Sequence, residues 1–278
     1  MARYILRVEC PDATGLIYRI TKVIFDHGLN IVTNSEFVDG KRSRFFLRAE
    51  LDGECDTQVV SEQLTEAISE DASVELSVSR TKDLVVLATR EAHCLGDLLL
   101  RHEAGEFNAK IHAVISNRPD LEYLVTRFGV PFHCVPHEGL DREAHEEQVA
   151  ESIAQYPADY LVLAKYMRIL SASFVDRYPR RMVNIHHSFL PAFVGANPYG
   201  QAFHRGVKII GATAHFVTDD LDEGPIIAQN VIPVDHTHSA ADMAQAGRDV
   251  EKTVLARALK LVFEERVFVN GNSTIIFD

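Results

Sequence analysis

Five consecutive apolar residues, Leu84-Val85-Val86-Leu87-Ala88, leave no polar face along a stretch far too short to cross a membrane. A strand of this kind has to be covered on both sides, the condition of a parallel sheet held between two helical layers. The pattern recurs in Ala109-Lys110-Ile111-His112-Ala113-Val114-Ile115-Ser116 and in Tyr160-Leu161-Val162-Leu163-Ala164, with a shorter strand at Pro131-Phe132-His133-Cys134-Val135. Helical stretches separate them, at residues 121–128 and 145–155 among others. Strands alternating with helices predict an α/β fold with a doubly wound, mostly parallel sheet. Residues 239–265 read as a long helix capped by Ser239, and Asn270-Gly271 turns between two final strands.

The first third obeys a different rhythm. Residues 4–9 alternate into a strand, and Cys10-Pro11-Asp12-Ala13-Thr14-Gly15-Leu16 is a turn that opens a helix ending near His27, with Gly28 as its cap. A second strand begins at Leu29, Asp39-Gly40 marks a hairpin turn, and residues 44–51 return as a third. A helix over 57–69 and a strand over 74–78 complete a β-α-β-β-α-β order, the ferredoxin-like arrangement. The polar stretch Arg80-Thr81-Lys82-Asp83 divides the chain into a domain at 1–80, a linker at 81–83 and a second domain at 84–278.

Charge and cysteines exclude several classes. The net charge of −12 over 278 residues disfavours a nonspecific nucleic-acid surface, so no nucleic-acid partner is expected. Cys10, Cys55, Cys94 and Cys134 follow no framework spacing and read as reduced thiols, which points to the cytoplasm. The N-terminus is a charged alternating strand unlike a signal peptide, and no apolar run reaches spanning length, so no membrane partner is expected.

The chemistry concentrates in Asn184-Ile185-His186-His187-Ser188 and in Asp222-Glu223-Gly224-Pro225. Between them, residues 211–218 read as a strand. Ligands of parallel sheets bind at the carboxyl ends of strands, which is where Asp222 and His186 are expected to meet. A carboxylate near an imidazole orients it and raises its pKa, and an amide can donate to a developing oxyanion, an effect worth about 3 kcal/mol when well placed. Together these suit attack on a carbonyl without a covalent intermediate. No metal site is expected: neighbouring His186 and His187 point to opposite faces of a regular strand, and there is no His-Glu-x-x-His run or Cys-x-x-Cys pair. His187 and His215 read as supporting or core histidines, their roles open.

Asn184-Ile185-His186 with Ser188, Leu190 and Pro191, then Gly211-Ala212-Thr213-Ala214-His215-Phe216-Val217 and Asp222-Glu223-Gly224-Pro225-Ile226-Ile227, resemble the formyltransferase family. That resemblance implies transfer of a formyl group from 10-formyl-tetrahydrofolate, with the catalytic trio on Asn184, His186 and Asp222. It also implies that Met167, Arg168, Ile169 and Leu170, with Val217 and Asp220, hold the folate. Met167 and Leu170 can equally be core residues by their spacing alone. The N-terminal third resembles an ACT domain. This implies a small amino-acid effector such as methionine or glycine near Asp12, Gly15 and Asn30, and a homo-oligomer, since such sheets pair side by side. Asp12 as a helix cap and Gly15 as a turn residue are the local alternatives.

The acceptor is argued from what the chain lacks. A phosphorylated amine needs a glycine-rich cradle after the first strand of the second domain, where this chain has Thr89-Arg90-Glu91-Ala92-His93-Cys94-Leu95-Gly96. A tRNA acceptor calls for basic surface and an added binding domain, and neither is read here; the acceptor that needs no dedicated pocket is water. Together with Gly195-Ala196-Asn197-Pro198-Tyr199, the two domains resemble the formyltetrahydrofolate deformylase family over essentially the full length. The resemblance implies hydrolysis of 10-formyl-tetrahydrofolate to formate and tetrahydrofolate, supplying formate to one-carbon and purine metabolism, with no cofactor beyond the folate substrate. In the implied mechanism Asp222 activates water, directly or through His186, while Asn184 and a cationic His186 stabilise the oxyanion. Two alternatives stay open: a folate-dependent formyltransferase with an amine acceptor, and an amino-acid-binding regulatory protein whose catalytic domain is idle.

Overall fold

Alternation along two strands decides which side of the first sheet is buried. In order, β1 (Ala2–Pro11), α1 (Leu16–Asp26), β2 (Asn30–Asp39), β3 (Arg44–Gly53), α2 (Thr57–Ile68) and β4 (Ser73–Val78) give the expected βαββαβ sequence. Leu6, Val8 and Cys10 of β1 and Leu47, Ala49 and Leu51 of β3 face one way, where Ile20 of α1 and Leu64 of α2 cover them. The strands are antiparallel in the order β2-β3-β1-β4. In this computed structural model residues 2–192 and 198–278 are described, and the chain forms two compact units, residues up to Arg80 with Phe277–Asp278, and Thr81–Ile276. The hairpin expected at Asp39-Gly40 is a longer loop. Its left-handed residue is Ser43 (φ 50), and Asp39 Oδ1 accepts from the Lys41 and Arg42 N–H groups.

The second unit runs β5 (Lys82–Ala88), α3 (Ala92–Glu103), β6 (Ala109–Ser116), α4 (Glu122–Thr126), β7 (Phe132–Cys134), α5 (Arg142–Ile153), β8 (Tyr160–Ala164), α6 (Ala172–Val175) and β9 (Met182–His186). It continues with α7 (Pro198–Arg205), β10 (Ile209–Phe216), β11 (Ile226–Pro233), α8 (Ala240–Phe263), β12 (Val267–Asn270) and β13 (Ser273–Ile276). Seven strands form a sheet in the order β11-β10-β9-β8-β5-β6-β7, parallel from β9 to β7. Alternate residues of the apolar run feed different cores: Leu84, Val86 and Ala88 pack with α3 and α8, Val85 and Leu87 with α5 and α6. That division is the two-sided burial read from the sequence. The long helix is α8, with Ser239 as N-cap in a reciprocal capping box with Asp242. Helix α5 starts at Arg142, three residues before the expected 145, because the Asp141 carboxylate accepts from Ala144 N–H at 2.8 Å.

Lys82 and Asp83, expected in a linker, are the first two residues of β5 and pair with Ala109 and Lys110 of β6. The polar character that suggested a linker has partners. Lys82 is buried with its ammonium on Glu265, and His112 Nε2 lies 2.6 Å from Asp83 Oδ1. Of the expected motif at 195–199, residues 195–197 lie outside the described residues.

Candidate active site

Two strand positions set the site. Asn184 and His186 are two apart on β9, so both side chains face the side of the sheet covered elsewhere by α5 and α6. Strand β10 pairs with β9 at His215↔Asn184 and Thr213↔His186, which adds His215 to the same face. Here the geometry departs from expectation. Because β10 is antiparallel to β9, the segment after Phe216 leaves level with Val183, at the start of β9. It reaches His186 only by folding back along the sheet face. Asp222 makes that return in the left-handed region (φ 58), a conformation that Asp adopts more readily than most residues.

The returning loop packs against the strand it has just left. Phe216 N–H donates to Pro225 O at 2.9 Å, and a Cβ on Gly224 would lie 1.8 Å from Phe216 O. A backbone oxygen cannot swing aside, so any larger residue at 224 displaces the loop that carries Asp222. Gly224→Ala is therefore expected to lower kcat/KM about 100-fold, the scale of an ångström-sized misplacement. Steady-state kinetics on the folded variant checks this, and activity within a few-fold of wild type would show that the loop tolerates the shift.

His186 Nδ1 lies 3.2 Å from Asp222 Oδ1, and its Nε2 is buried without a hydrogen-bond partner among the described residues. Burial acts to raise the Asp222 carboxyl, but the hydrogen bond and charge of His186, with the His215 and His187 rings, outweigh it and hold it below the ordinary carboxylate range. His215 is the partner that sequence reasoning left open. Burial pushes its pKa down, and its Nδ1–H donates to Phe216 O at 2.9 Å. That fixes the tautomer: Nε2 accepts from Asn184 Nδ2–H at 3.2 Å and leaves the second amide hydrogen of Asn184 for another acceptor.

Asn184, His186, His215 and Asp222 line a cavity of about 320 Å³ whose opposite wall is the segment after β8. Met167, Arg168, Ile169, Leu170, Val217 and Asp220, singled out from the sequence, all line it. Met167 and Ile169 are 55% and 54% exposed, which removes the core reading for Met167, whereas Leu170 packs partly against the core beneath. His187 also lines the cavity, contrary to the opposite-face expectation, because β9 ends at His186. Its ring centroid is 5.1 Å from that of His186, and burial followed by the Lys165 charge pushes its pKa down to about 4, so it is neutral at pH 7.

Behind the cavity lies a cluster that the sequence reading missed. Glu251 of α8 is 1% exposed and accepts from Tyr199 Oη–H at 2.6 Å, with His93 Nε2 at 2.8 Å and Lys165 Nζ at 3.1 Å. Gly247, one turn earlier, makes room, since a Cβ there would meet Tyr199 Oη at 2.1 Å. The available signal was a glutamate on the apolar stripe formed by Gly247, Val254, Leu255 and Ala258. His93, Cys94 and Glu251 offer three ligand atoms within 4.8 Å of one another. A cation there would have to displace the Lys165 ammonium from the carboxylate, and burial pushes the Cys94 thiol far above its ordinary pKa.

In the N-terminal unit Asp12 and Gly15 lie in the β1–α1 loop and Asn30 opens β2, all three exposed. Gly15 (φ 83) is the N-cap of α1, which has no side-chain capping bond, so Asp12 does not cap the helix. Its backbone N–H instead donates to Ser43 O at 2.9 Å. No helix among the described residues is long and apolar enough to cross a membrane.

A ferredoxin-like unit joined to a doubly wound sheet with an Asn-His-Asp cleft defines an enzyme class, and the matches agree. Residues 82–259 match the formyl transferase family and residues 4–68 the ACT domain family. Formyltetrahydrofolate deformylase from Escherichia coli (strain K12) is 55% identical over 276 residues, 99% of each chain. The crystal structure of a formyltetrahydrofolate deformylase from Pseudomonas syringae pv. tomato str. DC3000 superposes with a TM-score of 0.95 at 40% identity, covering 100% of this chain and 95% of that one. Glycinamide ribonucleotide transformylase 1 from Symbiobacterium toebii reaches a TM-score of 0.68 at 34% identity, covering 71% of this chain and 95% of that one. The chain belongs to the formyltetrahydrofolate deformylase family.

Proposed function

We propose that the protein hydrolyses 10-formyl-tetrahydrofolate to formate and tetrahydrofolate. One observation carries the reading: the likeness to deformylases runs through both units, whereas the likeness to the transformylase stops at 71% of the chain. In this reading Asp222, ionised at neutral pH, holds the attacking water and takes its proton, directly or through His186. Asn184 and His186 Nε2–H donate to the oxygen of the formyl group as it gains charge. The carbon–nitrogen bond then breaks, formate leaves, and the folate nitrogen takes a proton from His186 or a relayed water. Met167, Arg168, Ile169, Leu170, Val217 and Asp220 hold the folate. Folate is the substrate, so no separate cofactor is implied.

The N-terminal unit, in the same proposal, is a regulatory ACT domain sensing an amino acid such as methionine or glycine near Asp12, Gly15 and Asn30. The outer strand β2, exposed along nearly its whole length, suits pairing with a second copy of the chain. Four unpaired cysteines suit the cytoplasm. The test is formate release from 10-formyl-tetrahydrofolate without any amine, repeated with methionine or glycine. Multiple-turnover formate is the expected result. Tight folate binding with no formate would sink the hydrolase reading, and turnover unmoved by either amino acid would remove both as effectors.

A further inference from the structure

The wall segment facing Asn184 and His186 is held by side chains that do not line the cavity. It begins at Lys165, in the left-handed region (φ 61), and presents Met167 and Ile169 outward. Near its start, Met167 N–H donates to Thr89 Oγ1 at 3.0 Å, and that hydroxyl donates to Asn117 Oδ1 at 2.9 Å. Ser116 Oγ–H donates to Thr89 O at 3.1 Å, and Asn117 Nδ2 lies 3.2 Å from His137 Nδ1, so the anchor is itself anchored. At the far end Ser171 N–H donates to Glu146 Oε1 at 2.8 Å, and Ser171 Oγ–H bonds to the same carboxylate. Thr89, Asn117 and Glu146 are all buried.

We propose that Thr89 and Glu146 are positioning residues for the substrate, fixing segment 165–171 as a preformed shelf for the flat pterin ring. The inference rests on the folate reading of the cleft. A seven-residue segment with two exposed apolar side chains and no anchors samples many conformations, and ligand binding has to select one. Two buried hydrogen-bonded ends remove that cost beforehand. Because neither residue touches the reacting atoms, their loss weakens binding and leaves the chemical step in place.

Thr89→Val keeps the shape and removes the hydroxyl, and Thr89→Ser restores it. Steady-state kinetics with 10-formyl-tetrahydrofolate and equilibrium binding of tetrahydrofolate are measured on wild type and both variants. In T89V, KM and the tetrahydrofolate Kd are expected to rise about tenfold, the scale of one buried hydrogen bond, with kcat within twofold. T89S is expected to return both to near wild type. Unchanged KM and Kd in T89V, a fall in kcat alone, or no recovery in T89S would each overturn the inference. Should T89V not fold, Glu146→Ala against Glu146→Gln gives the same contrast from the other end. A wild-type protein that neither binds tetrahydrofolate nor releases formate would instead overturn the folate reading itself.

Discussion

Asp222→Asn is expected to lower kcat about 1,000-fold or more while tetrahydrofolate still binds within a few-fold of wild type, the loss expected when a proton-accepting charge is removed from a catalytic unit. Asparagine has the shape of aspartate and is among the few residues that accept the left-handed backbone (φ 58) of position 222. Its Oδ1 can still accept from His186 Nδ1–H, so the imidazole keeps its orientation. What disappears is the negative charge and the ability to take a proton. His186, with Nδ1 3.2 Å from Oδ1, holds that carboxyl ionised in the native protein. Met167, Arg168, Ile169 and Leu170 lie on the segment after β8, away from the loop of Asp222, and Val217 and Asp220 precede it on that loop, where a change of the same shape leaves them in place. Formate release and tetrahydrofolate binding measured on the same preparation check both halves. Turnover near that of wild type would remove Asp222 from the mechanism; equal loss of binding would make it a structural residue.

Half of this site was readable from period alone. Asn184 and His186 are two apart on an apolar strand and so share a face, and the run at 84–88 announces a sheet covered on both faces. The meeting of His186 with Asp222 was not readable in that way. It depends on β10 running antiparallel to β9 and on Gly224 letting the loop fold back onto Phe216 O, a close approach that leaves no local pattern. Long-range pairing hid other features too. Lys82 reads as linker because its partner Glu265 lies 183 residues away. The strand rule puts His187 on the opposite face, and it no longer applies one residue past the strand's end. The strand-end rule and the resemblance to formyltransferases supplied what period could not, by naming Asp222 as the partner.

Glu251 is the missed residue with the largest energetic consequence. Its carboxylate sits among groups from four elements: Lys165 after β8, His93 of α3, Tyr199 of α7 and its own helix α8, with Glu91 3.8 Å from the Lys165 ammonium. Burial alone would raise its pKa. The His93 hydrogen bond, the Lys165 charge and the Tyr199 hydroxyl outweigh that and depress it to about 2. A carboxyl depressed that far favours the folded state at pH 7 by on the order of 3 kcal/mol. A depressed acid contributes fully above its unfolded pKa and loses the contribution as pH falls through the folded value, so the window runs from near pH 5 down to near pH 2. Glu251→Gln keeps the volume but leaves the buried Lys165 without its principal counter-charge, a change of the kind that costs about 3 to 5 kcal/mol when one buried partner is removed. Urea unfolding of wild type and E251Q is expected to differ by about 3 kcal/mol at pH 7, with the gap narrowing steadily as the buffer is taken to pH 3. A gap that stays constant with pH would assign the loss to packing around Tyr199 and Gly247. No gap at pH 7 would mean that Lys165 is satisfied without Glu251, and the cluster behind the cleft would then owe its stability to its aromatic and apolar contacts.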